Sequence, residues 1–179
     1  MKLMVLTGSP NAKGTTDRLA EEFIRGASQA GHTVTRFNAA FEEVHPCIGC
    51  QRCLETGTCV FRDAMDNLLP QLTEADGIVL VSPIYYYGLT AQLKAVLDRF
   101  YSANAALQHN KSAALMVALA DTQPGSADGA VRNFQNIAGY MDWKVEGILI
   151  AEGCSIRDDL SSTQYPEQAY EMGLNFGRH

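Results

Sequence analysis

The sequence predicts an α/β chain built on a doubly wound, five-stranded parallel sheet with helices on both faces. Two observations carry this reading. Strand-like and helix-like segments alternate from one end of the chain to the other, the pattern of a parallel sheet whose strands are joined by crossover helices. Two of the strand-like runs, 2–7 and 78–82, are apolar enough to be buried on both sides, as strands sandwiched between helix layers must be. The chain has 179 residues, 46% hydrophobic and 19% charged, with no repeat, linker or low-complexity tract. That length and composition suit one domain over residues 1–179, large enough to fold without disulfides or a structural metal.

The elements follow in order. Residues 2–7 form the first strand, and Leu19, Phe23 and Ala27 mark the buried face of a helix that stops at Gly31. Residues 32–37 are a weak second strand. Asp63 is placed to cap a helix whose Met65, Leu68, Leu69 and Leu72 follow the i, i+3, i+4, i+7 pattern. Asp76-Gly77 turns the chain into the third strand, 78–82. Thr90 opens a helix with Leu93, Val96, Leu97 and Phe100 on one face, and 112–120 is the fourth, central strand. Val131, Phe134, Ala138 and Met141 mark the next helix, 143–150 the fifth strand, and 167–176 a short closing helix. Right-handed crossovers place ligands of such a sheet beyond the C-terminal ends of its strands, where loops 8–15, 83–89 and 120–126 lie.

Charge and hydropathy exclude some functions. There are 14 Lys+Arg against 20 Asp+Glu, a formal charge of −6, and no basic run, which argues against nucleic acid as a partner. The longest nearly uncharged apolar run, 112–120, is nine residues, whereas a membrane span needs ~20. The apolar start meets Gly8-Ser9-Pro10 too soon for a signal peptide, so the expected location is the cytoplasm.

The first loop, Gly8-Ser9-Pro10-Asn11-Ala12-Lys13-Gly14-Thr15-Thr16, leads directly into a helix. Its free N–H groups, the helix dipole and the hydroxyls of Ser9, Thr15 and Thr16 suit a terminal phosphate. Neither G-x-G-x-x-G nor the Gly-Lys-Thr order of a nucleoside-triphosphate loop is present, so those two ligand classes are excluded. An ordinary βα turn is the bland alternative. The third strand runs into Ser82-Pro83-Ile84-Tyr85-Tyr86-Tyr87-Gly88-Leu89. Three successive tyrosines cannot all face a core, because neighbouring side chains point different ways. They offer ring faces to a planar ligand, with backbone N–H groups near Gly88 for its polar edge; a surface or subunit contact is the alternative. A phosphate on one loop and a flat ring on the next describe flavin mononucleotide (FMN). Loop residues Ala120, Asp121 and Thr122 are placed to close the far side.

Four of the five cysteines fall within thirteen residues, at Cys47, Cys50, Cys53 and Cys59. Four thiolates are the ligand set of a [4Fe–4S] cluster, whereas structural zinc usually takes paired cysteines separated by a longer loop. No cysteine has Arg six residues later, which excludes a phosphatase nucleophile. Cys154 reads as a small buried apolar residue. Lys94 and Asp98, four apart on one helix, read as a surface ion pair. His32, His45, His109 and His179 show no metal spacing and read as surface or loop residues, and Trp143 reads as core.

Taken in order, Gly8-Ser9-Pro10 … Gly14-Thr15-Thr16, the C-x2-C-x2-C-x5-C run, Ser82-Pro83-Ile84-Tyr85-Tyr86-Tyr87-Gly88 and Gln92-Leu93-Lys94-Ala95-Val96-Leu97-Asp98-Arg99 resemble the NADPH-dependent FMN reductase family and its iron–sulfur flavoprotein relatives. The likeness covers about residues 1–120 well and the remainder poorly. It implies a flavodoxin-like fold with strand order 2-1-3-4-5, FMN as cofactor, NAD(P)H as co-substrate, a small-molecule electron acceptor, and a homodimer or homotetramer. Ser9, Asn11, Gly14, Thr15 and Thr16 would hold the phosphate, and Pro83, Ile84, Tyr85, Tyr86, Tyr87 and Gly88 would line the ring. No side chain is assigned as catalytic. Lys94, Asp98 and Arg99 would belong to a dimer contact. The sequence departs from the usual pattern at Asn11 (often Arg), Thr15 (often Asn) and Ala64 (often Asp). The four-cysteine spacing matches the iron–sulfur flavoproteins, but the tyrosine loop is closer to the reductases. Free thiols over the flavin are therefore the expected state, with a non-enzymatic electron carrier bearing a cluster as the alternative.

Overall fold

The computed structural model describes residues 1–178, so His179 lies outside the described residues. The described residues form six strands: β1 (Lys2–Thr7), β2 (Thr33–Asn38), β3 (Gly77–Tyr85), β4 (Gly88–Leu89), β5 (Ser112–Ala118) and β6 (Lys144–Ala151). The main path runs β2-β1-β3-β5-β6, all parallel, and β4 pairs antiparallel with the end of β3. Without that two-residue hairpin strand, this is the expected flavodoxin-like order 2-1-3-4-5.

Among the described residues, α-helices flank the strands: α1 (Thr15–Gln29), α2 (Arg52–Thr56), α3 (Met65–Glu74), α4 (Ala91–Arg99), α5 (Asn104–Leu107) and α6 (Asp128–Met141) between strands, and α7 (Tyr165–Asn175) after the last one. The core divides into two layers, one on each side of the sheet. Leu68, Leu72, Leu93, Val96, Phe134 and Ala138 pack against Leu6, Leu80 and Leu115 on one side. Leu19, Phe23, Ala169 and Phe176 pack against Val5, Val79 and Met116 on the other. Alternate residues of one strand supply both layers, which is why the central strands are apolar throughout. Every residue of β5 is buried. Trp143 is core as expected, with its indole N–H donating to the Leu107 carbonyl at 2.7 Å.

Helices α1 and α7 touch backbone to backbone. A Cβ on Gly26 would stand 2.0 Å from the Tyr170 carbonyl oxygen, and one on Gly173 would stand 2.1 Å from that of Phe23. The expected closing helix of the tail is thus α7, which packs on α1 and shares that face of the sheet with it. At the other end of the sheet, the buried Lys111 ammonium donates to the carbonyls of Thr73 and Ala75 and closes the C-terminus of α3. Burial pushes its pKa down.

Asp63 differs from its expected role. The N-cap of α3 is Ala64; Asp63 does accept the Met65 N–H at 3.0 Å, but its carboxylate is chiefly engaged with Arg99. Thr90 caps α4 as expected, accepting the Leu93 N–H. Among the described residues, no helix is long and apolar enough to cross a membrane.

Candidate functional site

An open cleft of about 230 Å³ lies at the C-terminal edge of the sheet, where β1, β3 and β5 end. One wall is Ser9, Asn11, Gly14, Thr15 and Thr16; the facing wall is Pro83, Ile84 and Tyr85. Ala118, Leu119 and Ala120 follow from the end of β5, and Cys154 and Ser155 complete the lining.

The first wall is held rigidly. The Gly8 N–H donates to the Val81 carbonyl at 2.9 Å, and the Thr90 hydroxyl donates to the Gly8 carbonyl at 2.8 Å. Gly8 is required there, since a Cβ would stand 2.4 Å from the Thr90 hydroxyl oxygen. Thr90 in turn donates its N–H to the Ser82 hydroxyl at 3.0 Å. One threonine therefore ties together the two ligand loops and caps the helix that follows. Within the first loop, Ser9 Oγ accepts the Asn11 N–H and Asn11 Oδ1 accepts the Lys13 N–H, which turns the chain into α1.

Helix α1 starts at Gly14 without a side-chain cap, and Thr15 and Thr16 in its first turn are buried. Its first N–H groups have no partner within the helix by geometry, so this terminus suits an anion. Asp17, also in the first turn, would oppose an anion. It is held between two cations, Arg36 at 2.7 Å and Arg157 at 2.9 Å. These arginines are 19 and 140 residues away in sequence. Sequence reading missed both, and no local signal points to either.

The second wall runs into a two-residue hairpin. Ile84 pairs with Leu89 and Tyr85 with Gly88, leaving Tyr86 and Tyr87 as the turn. Both have positive φ, +46° and +64°, a conformation that such turns usually give to Asn-Gly. Gly129 in α6 lets the hairpin dock, because a Cβ there would stand 2.4 Å from the Tyr87 carbonyl oxygen. Pro83, Ile84 and Tyr85 line the cleft, while Tyr86, Tyr87 and Gly88 form the rim beyond it, with the Tyr86 ring fully exposed. Of the third loop, Ala120 lines the cleft. Asp121 is turned into its own loop, accepting from Ser126 and Gln123; these bonds hold its pKa below the usual carboxylate range. Cys154 is buried as expected, yet it also lines the cleft; burial raises its thiol pKa, and its carbonyl accepts from Thr15 Oγ1.

The cysteine run lines a separate, closely packed cavity. Cys47, Cys50, Cys53 and Cys59 all line it, together with Ile48, Val60, Phe61, Asp98, Arg99 and Tyr101. None of the four lines the cleft; the loop packs against the C-terminal end of α4. No group of three or more His, Cys, Asp or Glu among the described residues is placed to share one metal ion.

Arg99 also corrects an expectation. Its side chain is 1% exposed, so it cannot be a dimer contact with Lys94 and Asp98, which do form a half-exposed pair. On a helix the residue after Asp98 points ~100° away from it, and here that direction is inward. Arg99 Nη1 donates to Asp63 Oδ2 at 2.7 Å and to the His45 carbonyl at 2.9 Å, and Nη2 donates to Asp63 Oδ1. Burial alone would raise the Asp63 pKa, but the Arg99 bonds and the N–H groups of His45 and Met65 bring it below the ordinary carboxylate value. His45 stacks on Phe61 at 4.8 Å, closing the loop over this pair. His45 and His109 lie at the surface beside Asp63 and Asp142, and His32, in the turn before β2, hydrogen-bonds with the Phe176 carbonyl, each in a surface or loop position as read from the sequence.

Comparison with known proteins agrees with this architecture. The family described as NADPH-dependent FMN reductase matches residues 1–145. An iron–sulfur flavoprotein of Methanocaldococcus jannaschii is 33% identical over 136 residues, covering 76% of this chain and 70% of that protein. A putative NAD(P)H-dependent FMN-containing oxidoreductase of Bacillus subtilis is 22% identical over 161 residues, 86% of each chain. Among solved structures, an NAD(P)H:quinone oxidoreductase of Methanothermobacter marburgensis superposes with a TM-score of 0.74 at 18% identity, covering 100% of this chain and 97% of the other.

Proposed function

The chain belongs to the NADPH-dependent FMN reductase family of NAD(P)H-dependent oxidoreductases, with FMN as cofactor, and from that premise we propose that it passes reducing equivalents from NAD(P)H to a small-molecule acceptor at the cleft between the first loop and the β3–β4 hairpin. The observation that carries the assignment is the uncapped start of α1, with the buried Thr15 and Thr16 lining the cleft opposite Pro83, Ile84 and Tyr85. These residues fit the cofactor. Ser9, Asn11, Gly14, Thr15 and Thr16 would take the phosphate through hydroxyl and N–H donors, with Arg36 and Arg157 neutralising Asp17 nearby. Gly14 is part of the cradle, since a Cβ there would crowd the Asn11 side chain at 3.3 Å. Pro83, Ile84 and Tyr85 would take the ring, and Tyr86, Tyr87 and Gly88 would form its outer rim. Bound there, FMN supplies the hydride chemistry, and the protein supplies position and electrostatics. A homodimer or homotetramer and a cytoplasmic location belong to the same proposal; the exposed Tyr86, Tyr87, Tyr101 and Tyr140 support association.

A second reading is favoured by the cysteine cavity. Four thiols on one wall-to-wall cavity are a donor set for a [4Fe–4S] group, which takes one thiolate per iron rather than four on one ion. The same cavity is lined by Arg99 of α4, whose Nε is buried without a hydrogen-bond partner, so the cavity offers a donor as well as ligands. Cys47, Cys50, Cys53 and Cys59 would hold the group, which would supply one-electron exchange. The M. jannaschii relative's name supports this reading over free thiols.

Titrating the apoprotein with FMN and with riboflavin, by quenching of flavin fluorescence, tests the site. FMN should bind at least tenfold more tightly, because riboflavin has no phosphate for the first loop, and the FMN-loaded protein should oxidise NADPH when a quinone is added. Equal affinity for both flavins would refute the assignment of residues 8–16. A flavin that stays oxidised under excess NADPH and NADH would refute the proposed reaction.

A further inference from the structure

Among the described residues Arg99 is the largest fully buried side chain, and its guanidinium is only partly used. Both Nη atoms are engaged, on Asp63 and on the His45 carbonyl, while Nε has no partner. An unmade bond at a buried donor costs about 1–3 kcal/mol, and more at a charged group, so folded proteins rarely leave one. Two other polar side chains around the cavity have partners of their own. Asp98 pairs with Lys94, and the Ser102 hydroxyl donates to the Arg99 carbonyl. Much of the rest of the lining is apolar, with Ile48, Val60 and Phe61, and sulfur comes from Cys47, Cys50, Cys53 and Cys59. The cation is also within electrostatic reach of Cys47 and Cys59.

We propose that the Nε–H of Arg99 donates to a thiolate or sulfide sulfur of an iron–sulfur group held by the four cysteines, making Arg99 the residue that positions the loop and raises that group's reduction potential. The inference rests on the cluster reading above. Asp63 neutralises the guanidinium's net charge, so the effect comes through the directed N–H dipole rather than through a free cation. A hydrogen bond to sulfur stabilises the more negative, reduced state, and such bonds are among the protein's levers on cluster potential. The same side chain anchors the loop at both ends, through the His45 carbonyl before the first cysteine and Asp63 after the last.

The test uses protein purified without oxygen, wild type and Arg99→Lys. Iron, acid-labile sulfide and FMN are assayed, and the cluster potential is followed by EPR-monitored titration. Wild type should hold about four iron and four sulfide per chain. The lysine variant should keep its FMN, show a lower cluster potential and lose iron faster in air. An unchanged potential and unchanged iron retention would overturn the role of Arg99 and leave the cluster reading standing. Wild type without iron, but with FMN, would overturn the cluster reading and this inference with it. If the variant does not accumulate, an Arg52→Lys, Arg62→Lys background labelled with 15N at arginine Nε decides. The reduced cluster should then show a hyperfine coupling to that nitrogen, and its absence would overturn the proposal.

Discussion

Replacing Asp63 with Asn removes one charge from a pair in which the Asp63 side chain is 0% and the Arg99 side chain 1% exposed. Arginine stays protonated under any folding condition, so the variant leaves a buried cation with no counter-charge. Breaking a buried pair from one side typically costs about 3–5 kcal/mol. Asn keeps one oxygen for Arg99 or for the N–H groups of His45 and Met65, which places the expected loss near the lower end, ~3 kcal/mol. Against a total stability of about 5–15 kcal/mol, that is a large fraction. The assay is urea unfolding by far-UV circular dichroism, where ~3 kcal/mol at a slope of ~2 kcal/mol/M moves the midpoint by ~1.5 M. The pH dependence has a definite sign. The folded pKa of Asp63 lies below its unfolded value of about 3.9, so its contribution is complete above that value and disappears as pH falls through the folded pKa. The gap between wild type and variant should be flat from pH 8 to 5 and narrow only in stronger acid. A loss under ~1 kcal/mol at pH 7, or a gap that widens on acidification, would refute the reasoning.

Gly173→Ala should lower stability by about 1–3 kcal/mol in a thermal melt, because the new Cβ meets the Phe23 carbonyl oxygen at 2.1 Å and the Ala27 nitrogen at 2.8 Å. Alanine's better helix propensity, ~1 kcal/mol, offsets only part of this, and an unchanged melt would mean that the helices can separate freely. The double change Tyr86→Asn, Tyr87→Gly should raise stability by about 1–2 kcal/mol, since it relieves two left-handed tyrosines, while slowing NADPH-dependent quinone reduction. Unaltered turnover would remove the hairpin rings from the functional reading. Thr15→Val should weaken FMN by about 10- to 100-fold and leave riboflavin nearly unaffected, as measured by fluorescence titration; equal losses for both would place Thr15 away from the phosphate.

The strands and the long helices were legible because hydrophobic period, caps and turn residues are local properties of the chain, whereas the flavodoxin-like strand order came only with the resemblance to the flavin reductases. The first ligand loop was legible for the same reason: its hydroxyls, glycines and helix start lie in one contiguous stretch, 8–16. Cys154 reads correctly as buried, but nothing near it in sequence says that it borders the cleft. Tyr86 and Tyr87 read as exposed rings, whereas their left-handed backbone follows from pairing Tyr85 with Gly88. The charged groups were the least legible. Asp17 is rescued by arginines from β2 and from the segment before α7, and Arg99 belongs with Asp63 across 36 residues rather than with its helix neighbours Lys94 and Asp98. Periodicity tells which residues share a face of one element. Which charges meet depends on how separate elements dock, and that is decided only when both layers close on the sheet.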